Sequence, residues 1–271
     1  MLFRIRDSLP LLCMKGQITI LGSGTSQGVP VIACECEVCS SNDPRDIRTR
    51  SSILVEFNGE NYVVDAGPDF RNQMLREKVK SLKGVLFTHE HKDHVAGLDD
   101  VRPFNYREGR DMEVYAGKRV QEALKREYHY IFATERYPGI PKISLFELKN
   151  EPFVLPNNLP VLPIEVLHYK LPVFGFRFGD LTYITDAKTV SEEERKKIYG
   201  SKILIVNCLH HSPHISHFNL DEALQFIEDI SPEKAYLTHI SHLFGRHSAI
   251  LKELPENVEV AYDGLKLSFE V

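Results

Sequence analysis

The sequence predicts an α/β protein in which two mixed β-sheets pack face to face with helices on the outer faces. Short β-type runs are spread along the whole chain, and amphipathic helical stretches separate them in both halves. Neither a tandem repeat nor a low-complexity linker breaks the pattern. A sheet needs cover for its apolar face, and strands mixed with helices throughout supply it in layers.

The strand-like runs are residues 17–21, 52–57, 61–65, 84–88 and 113–116 in the first half, and 174–178, 181–185, 202–207, 234–237, 258–261 and 265–269 in the second. Asn58-Gly59 and Gly179-Asp180 have the chemistry of hairpin turns and join neighbouring runs. Helical periodicity covers 120–130. A second helix is expected over 191–199, with Ser191 as cap and Glu194 three residues on. A third runs from Asn219 to Ile230, opened by Asn219 and Glu222 in the same capping arrangement. The proline-rich stretch 152–163 marks the join between halves. Residues 1–13 have no place in this scheme. They are expected to be a disordered extension or the product of an upstream start, with Met14 the natural one. Residues 14–271 are expected to form a single domain of two αβ halves, with a cysteine-rich insertion near 34–39.

The chain has 271 residues, 42% of them apolar, which supports one substantial core or two small ones. Its net charge of −5 argues against a sequence-independent nucleic-acid binder, although Arg45, Arg48 and Arg50 make a local basic patch in sequence. No apolar run approaches the roughly 20 residues that span a bilayer, and no secretion signal is evident. With its cysteines clustered, the chain is expected in a reducing cytoplasm.

Chemistry concentrates in Thr88-His89-Glu90-His91-Lys92-Asp93-His94. An apolar run precedes it and another follows. A lone histidine is ordinarily a surface residue or a satisfied core residue. The spacing H-x-H-x-D-H after a buried strand is different: the strand end aims His89 and His91 at one point, and Asp93 and His94 serve a second point nearby. That suits two divalent metals sharing a water. Asp65, ending another strand, is a candidate acceptor for orienting a ligand histidine. Cys34, Cys36 and Cys39 read as a metal site before a disulfide. Structural zinc needs a fourth ligand brought in by folding, and Cys208 and Cys13 are available. Gly22, Gly24 and Gly28 do not make a phosphate loop, since no lysine follows, and read as tight backbone beside the site.

The histidine run resembles the signature of the metallo-β-lactamase fold superfamily. The resemblance implies a four-layer αββα sandwich with a dinuclear site at its edge. It also implies a later histidine, a bridging aspartate and a final histidine. His168, Asp186 and His239 stand in that order, each ending a strand-like run. Residues 21–30, the cysteine triplet, residues 43–52 and Leu237-Thr238-His239-Ile240-Ser241-His242 are together similar to the phosphoribosyl 1,2-cyclic phosphate phosphodiesterase (PhnP-like) family, over about residues 14–245. That similarity implies His242 as the fourth ligand of a structural zinc. It implies His217, just ahead of the Asn219 helix, as an active-site histidine. His210, His211 and His214 line the pocket or are plain loop residues.

The implied cofactors are two divalent metals, zinc or manganese, and one structural zinc. His89, His91 and His168 would hold one catalytic metal, Asp93, His94 and His239 the other, and Asp186 would join them. Catalytic roles fall to His217, Asp93 and Asp186. The implied activity is hydrolysis of a small phosphodiester, either a cyclic ribose phosphate or a nucleotide-like one. An RNA-processing nuclease of the same fold is the alternative, against which stand the negative charge and the lack of a long basic, glycine-rich arm. A non-catalytic metal or ligand binder is another, against which stands the complete ligand set. No nucleic-acid or membrane partner is expected, and a homodimer is left open. Pocket walls are expected from 68–73, 101–107 and the histidine-rich loop.

Overall fold

The computed structural model describes residues 14–135 and 138–271. The expectations for residues 1–13, and Cys13 as a ligand, lie outside the described residues. One sheet is built from β1 (Lys15–Gly22), β2 (Ser52–Phe57), β3 (Glu60–Val64), β4 (Gly84–Leu86), β5 (Met112–Ala116) and β6 (Ile143–Glu147). The other contains β7 (Phe153–Val154), β8 (Pro160–His168), β9 (Leu171–Phe178), β10 (Leu181–Ile184), β11 (Ile203–Asn207), β12 (Lys234–Thr238) and β13 (Val258–Val260). The last strand, β14 (Lys266–Glu270), returns to the first sheet beside β1. Pairing is antiparallel from β14 through β3 and parallel from β3 to β6. In the second sheet it is antiparallel from β7 to β10 and parallel from β10 to β13.

Alternation along each strand sorts side chains between layers. Ile53, Val55 and Phe57 of β2 point inward and meet Phe176, Tyr183 and Ile205 of the second sheet. Leu54 points outward, under Phe70 and Met74 of α1 (Phe70–Arg76). Leu204 and Val206 of β11 likewise face outward. The helices between are α2 (Lys92–Val95), α3 (Arg102–Glu108), α4 (Lys118–Glu127) and α5 (His129–Phe132). In the second half come α6 (Glu192–Ile198), α7 (Leu220–Ile230) and α8 (His247–Ile250). Phe226 and Ile227 of α7 cover Leu204 and Val206. The four-layer sandwich expected from the sequence is the fold.

Both turn dipeptides do what their chemistry predicts, joining Phe57 to Glu60 and Phe178 to Leu181 across antiparallel pairs. Asn219 and Glu222 form the reciprocal cap of α7, and the Ser191 hydroxyl accepts from the backbone of Glu194. The stretch expected to be one helix over 120–130 is two, α4 and α5, with Tyr128 between them. β6 and β7 are additions to the sequence reading, and β8 is the strand-like run that His168 ends. The proline-rich join runs on into β8, where Pro163 pairs with Phe176. β7 pairs only with Pro160 and Val161, so most of β8 is an edge, where a proline is tolerated. The basic run is no open patch. Arg45 pairs with Asp43, Arg50 with Asp69, and Arg48 is buried against Ser23, Ala261 and His247. Among the described residues no helix is long and apolar enough to cross a membrane.

The parallel strands place their C-terminal ends along one edge. The loop after β3 and the helix α2 meet there backbone to backbone. A Cβ on Gly67 would lie 2.0 Å from the Asp93 carbonyl oxygen, and one on Gly97 would lie 2.0 Å from that of Gly67. Gly59 is the contrast, with φ at +76° and open space around it. Gly67→Ala is therefore expected to destabilise by about 3 kcal/mol or more, because backbone must move. Gly59→Ala should cost only about 1–2 kcal/mol of left-handed strain. Urea unfolding of both variants checks the order.

Candidate metal centre

His89 and His94 of the motif, and His168 further along, are each fixed through one ring nitrogen. His94 Nδ1 donates to Asp65 Oδ2 at 2.7 Å. His89 Nδ1 donates to the Thr88 hydroxyl at 2.9 Å, which in turn donates to the same Asp65 oxygen at 2.8 Å. His168 Nδ1, at the end of β8, donates to the Ser216 carbonyl at 2.9 Å. This is how a metal-site histidine has its tautomer set by its outer neighbour. Asp65 thus holds two imidazoles at once and also accepts from the Thr88 backbone N–H.

Asp186, one residue beyond Thr185 at the end of β10, stands among the free nitrogens. Its Oδ2 lies 3.3 Å from His94 Nε2 and its Oδ1 lies 3.1 Å from His239 Nε2. Asp93 Oδ2 is 3.2 Å from the same His94 nitrogen. The rings of His89 and His91 are 4.5 Å apart, and those of His91 and His168 are 5.3 Å apart. Three sets of donors converge within 4.8 Å: His89, His94 and Asp186; Asp93, His94 and His239; and His168, Asp186 and His217. The second set is the one the resemblance implied. His91 stands beside His89 and His168 but completes none of the three, and Asp186 is shared more widely than a simple two-way split requires.

Burial sharpens the electrostatics. His89 is held well below the ordinary imidazole value by burial, with His94 beside it adding to the effect. Burial pushes His94 the same way, but Asp186, Asp65 and Asp93 outweigh it and raise it well above. Asp186 is held well below the carboxylate range, because His239 and His94 overcome the cost of burial. His217 is pushed down to about 2 by burial and by His239, against the pull of Asp186. Asp65, Asp186 and His239 all have left-handed backbone, with φ of +65°, +56° and +59°. Such strain concentrates at functional sites and costs about 1–3 kcal/mol per residue.

A bound cation fits this donor set. His89 Nε2, His94 Nε2 and both nitrogens of His239 are buried without a hydrogen-bond partner. Each unsatisfied buried group costs about 1–3 kcal/mol. With Nδ1 donating to Asp65, His94 directs its other nitrogen at two carboxylates that favour a proton there, and a cation at that point would take the proton's place.

The cysteine cluster closes in the same manner. His242 Nδ1 lies 3.4 Å from Cys34 Sγ, 3.4 Å from Cys36 Sγ and 3.5 Å from Cys39 Sγ. All four donors lie within 4.8 Å of one another, the right chemistry and number for tetrahedral zinc. The Cys39 backbone N–H and His242 lower the Cys36 thiol to about 6, which favours the thiolate a metal needs. Burial pushes Cys39 up to about 11. Cys208 is buried in the core under α7 and takes no part.

Residues 60–240 match the beta-lactamase superfamily domain. The chain belongs to the metallo-β-lactamase superfamily. The crystal structure of a diphosphatase from the PhnP family superposes with a TM-score of 0.90 at 36% identity, over 96% of this chain and 99% of that one. Zinc-bound PqqB from Methylobacterium extorquens has the same fold, with a TM-score of 0.75 at 22% identity over 93% of this chain and 99% of that one. An octanoyltransferase of Porphyromonas gingivalis is 38% identical over 250 residues, which is 91% of this chain and 50% of that one. The chain therefore spans about half the length of that curated relative.

Within this metallo-β-lactamase centre several contributors escaped sequence reasoning. Asn207 clamps the turn that presents Asp186, accepting from the Ala187 N–H at 2.7 Å and donating to its carbonyl at 2.9 Å. Thr185 donates to Asp186 Oδ2 at 2.7 Å. The Ser216 carbonyl has no side-chain signature at all. Of the loop histidines, His214 packs on His217 with ring centres 5.1 Å apart, and His210 packs on His214. His211 instead turns to Phe244. The wall segments 68–73 and 101–107 line a groove between α1 and α3, while the cavity that includes His91 and His168 is lined from α4, the β8–β9 turn and the histidine-rich loop. The glycine-rich stretch is tight backbone, with Gly22 and Gly24 packed on the Arg50 and Arg48 carbonyls.

Asp65→Asn keeps the shape but loses the carboxylate that orients His94. Divalent-metal affinity is expected to fall about 10–100-fold. Competition with a chelator of known affinity measures it, and unchanged affinity would remove Asp65 from the account.

Proposed function

We propose that this protein hydrolyses a small phosphodiester, nucleotide-like or cyclic, at a two-cation centre. The observation that carries the reading is the placement of Asp186, which stands within reach of donors from both proposed groups: His94 and His239 face its two oxygens, and it shares one donor cluster with His89 and another with His168. The likeness to a PhnP-family diphosphatase at 36% identity supports phosphoryl chemistry. His89, His91 and His168 would hold one cation, Asp93, His94 and His239 the other, with Asp186 between them. Zinc or manganese suits such ligands. The Cys34, Cys36, Cys39 and His242 cluster would hold a structural zinc. Two divalent cations supply Lewis acidity, lowering the pKa of a bound water and neutralising phosphoryl oxygens.

The chain's own residues do the rest. Asp65, Thr88 and the Ser216 carbonyl fix the imidazoles before substrate arrives, so little reorganisation is needed. His217 has its ring 4.5 Å from that of His168 and 4.6 Å from that of His239. Burial keeps it neutral, so it acts on the leaving oxygen through an N–H that stabilises the developing charge. The pairing of Arg45 and Arg50 with carboxylates, together with the negative net charge, supports a small-molecule substrate over a nucleic acid. A cytoplasmic setting suits three thiols held reduced.

Turnover of bis(p-nitrophenyl) phosphate with added manganese or zinc tests the reading, and its absence with either metal would refute it. Asp186→Ala should abolish that turnover and lower catalytic-metal content together. An Asp186→Ala variant with wild-type rate and metal content would show that another carboxylate joins the cations.

His217→Ala separates positioning from ligation. With a sugar hydroxyl as leaving group the rate should fall roughly 10²–10³-fold, the usual cost of one preorganised donor. With p-nitrophenolate, which leaves unaided, the loss should be far smaller at unchanged metal content. Metal loss instead would make His217 a ligand.

A further inference from the structure

We infer that the cavity beside His91 and His168 is a subsite for a planar ring and a second anionic group, so that the preferred substrate is a nucleotide carrying a phosphate besides the scissile diester. This deepens the hydrolase reading and rests on it. The cavity is about 540 Å³, ample for a nucleotide. Arg119 and Lys170 line it beside Tyr169, Leu171 and Ile215, and no carboxylate does.

The charges are of two kinds. Arg119 is held in place, with Nε 3.2 Å from Glu90 and Nη2 donating to the Pro172 carbonyl at 3.0 Å. Among the described residues Lys170 makes no ion pair, and its ammonium sits 5.3 Å from the centre of the Tyr169 ring. Tyr169 is 51% exposed and Ile215 66% exposed, two large apolar side chains left open beside a polar centre. An exposed tyrosine face stacks on any flat ring, and a nearby cation strengthens the platform.

The backbone is a second, independent observation. Tyr169 and Lys170 are the whole turn between β8 and β9, since His168 pairs with Leu171. Tyr169 has φ at +59°, a conformation that turns give to Gly, Asn or Asp. A bulky aromatic there strains the hairpin and gains no burial in return. Strain of this kind persists where the side chain is needed. Here it sets the ring one residue from His168.

The test uses the whole metal-loaded protein and thymidine 3′,5′-bisphosphate, with binding measured by calorimetry and needing no turnover. Lys170→Ala should weaken binding by roughly tenfold and Lys170→Glu by more. Tyr169→Asn should weaken it by roughly tenfold while raising the melting temperature, because the turn is relieved. A residue present only for structure would not move these readouts in opposite directions. In parallel, thymidine 5′-(p-nitrophenyl phosphate) is compared with its 3′-phosphorylated form. The ratio of kcat/KM should favour the 3′-phosphate, and Lys170→Ala should lower that ratio by about tenfold. No saturable binding by wild type, or equal affinity in all variants, overturns the subsite. If the bisphosphate binds and the variants weaken it but no ester is cleaved, the hydrolase reading falls and the subsite stands. If esters are cleaved with no preference for the 3′-phosphate, the subsite falls and the hydrolase reading stands.

Discussion

Everything at the edge of this sandwich follows from one buried carboxylate among imidazoles, of which His89, His94 and His168 have their outer nitrogens already committed. Asp186 is nearly inaccessible to water, as are His89, His94 and His239. A carboxylate in such a place is costly unless charge or hydrogen bonds compensate it. The Asp65 and Thr88 tethers hold His94 and His89 with their other nitrogens turned inward, where positive charge, a proton on His94 or a cation held among the donors, compensates Asp186. Three left-handed residues and two glycines packed on backbone carbonyls are the local cost of that arrangement.

Two chain-distant pieces must meet for this to hold, and the fold explains how. Asp65, His89 and the α2 residues come from the first sheet. Asp186 and His239 come from the parallel strands of the second, and His168 from its edge. The face-to-face core of Val55 and Phe57 against Phe176 and Tyr183 therefore determines the metal geometry as much as the ligands do. The cysteine cluster does similar work at longer range, joining a loop after β1 to His242, which lies 203 residues from Cys39.

Much of this was legible from the chain. Capping at Asn219 is local chemistry, so α7 began where its residues said. The histidine spacing is local too, and placed the first ligands on one loop. The later ligands were reached only through resemblance, because His168, Asp186 and His239 stand singly at strand ends with no local ligand spacing of their own. The tethers were less accessible: a backbone carbonyl such as that of Ser216 has no sequence signature, and Asn207 looks like any strand-end residue. Edge strands hid as well. β6 alternates burial poorly and β7 is two residues long, so neither gave a clean period of two. The arginine run is a patch in sequence only, because Asp43 and Asp69 pair with Arg45 and Arg50 and Arg48 is buried.

The most direct test of the central claim is a crystal structure of protein purified without chelator, with diffraction collected above and below the zinc and manganese absorption edges. The account predicts anomalous peaks on both sides of the Asp186 carboxylate, within bonding distance of His94 and His239 on one side and of His89 and His168 on the other. A further zinc peak should lie at the centre of Cys34, Cys36, Cys39 and His242. A map with no peak at Asp186, and with His89 and His94 donating Nε2–H to ordered water, would contradict it.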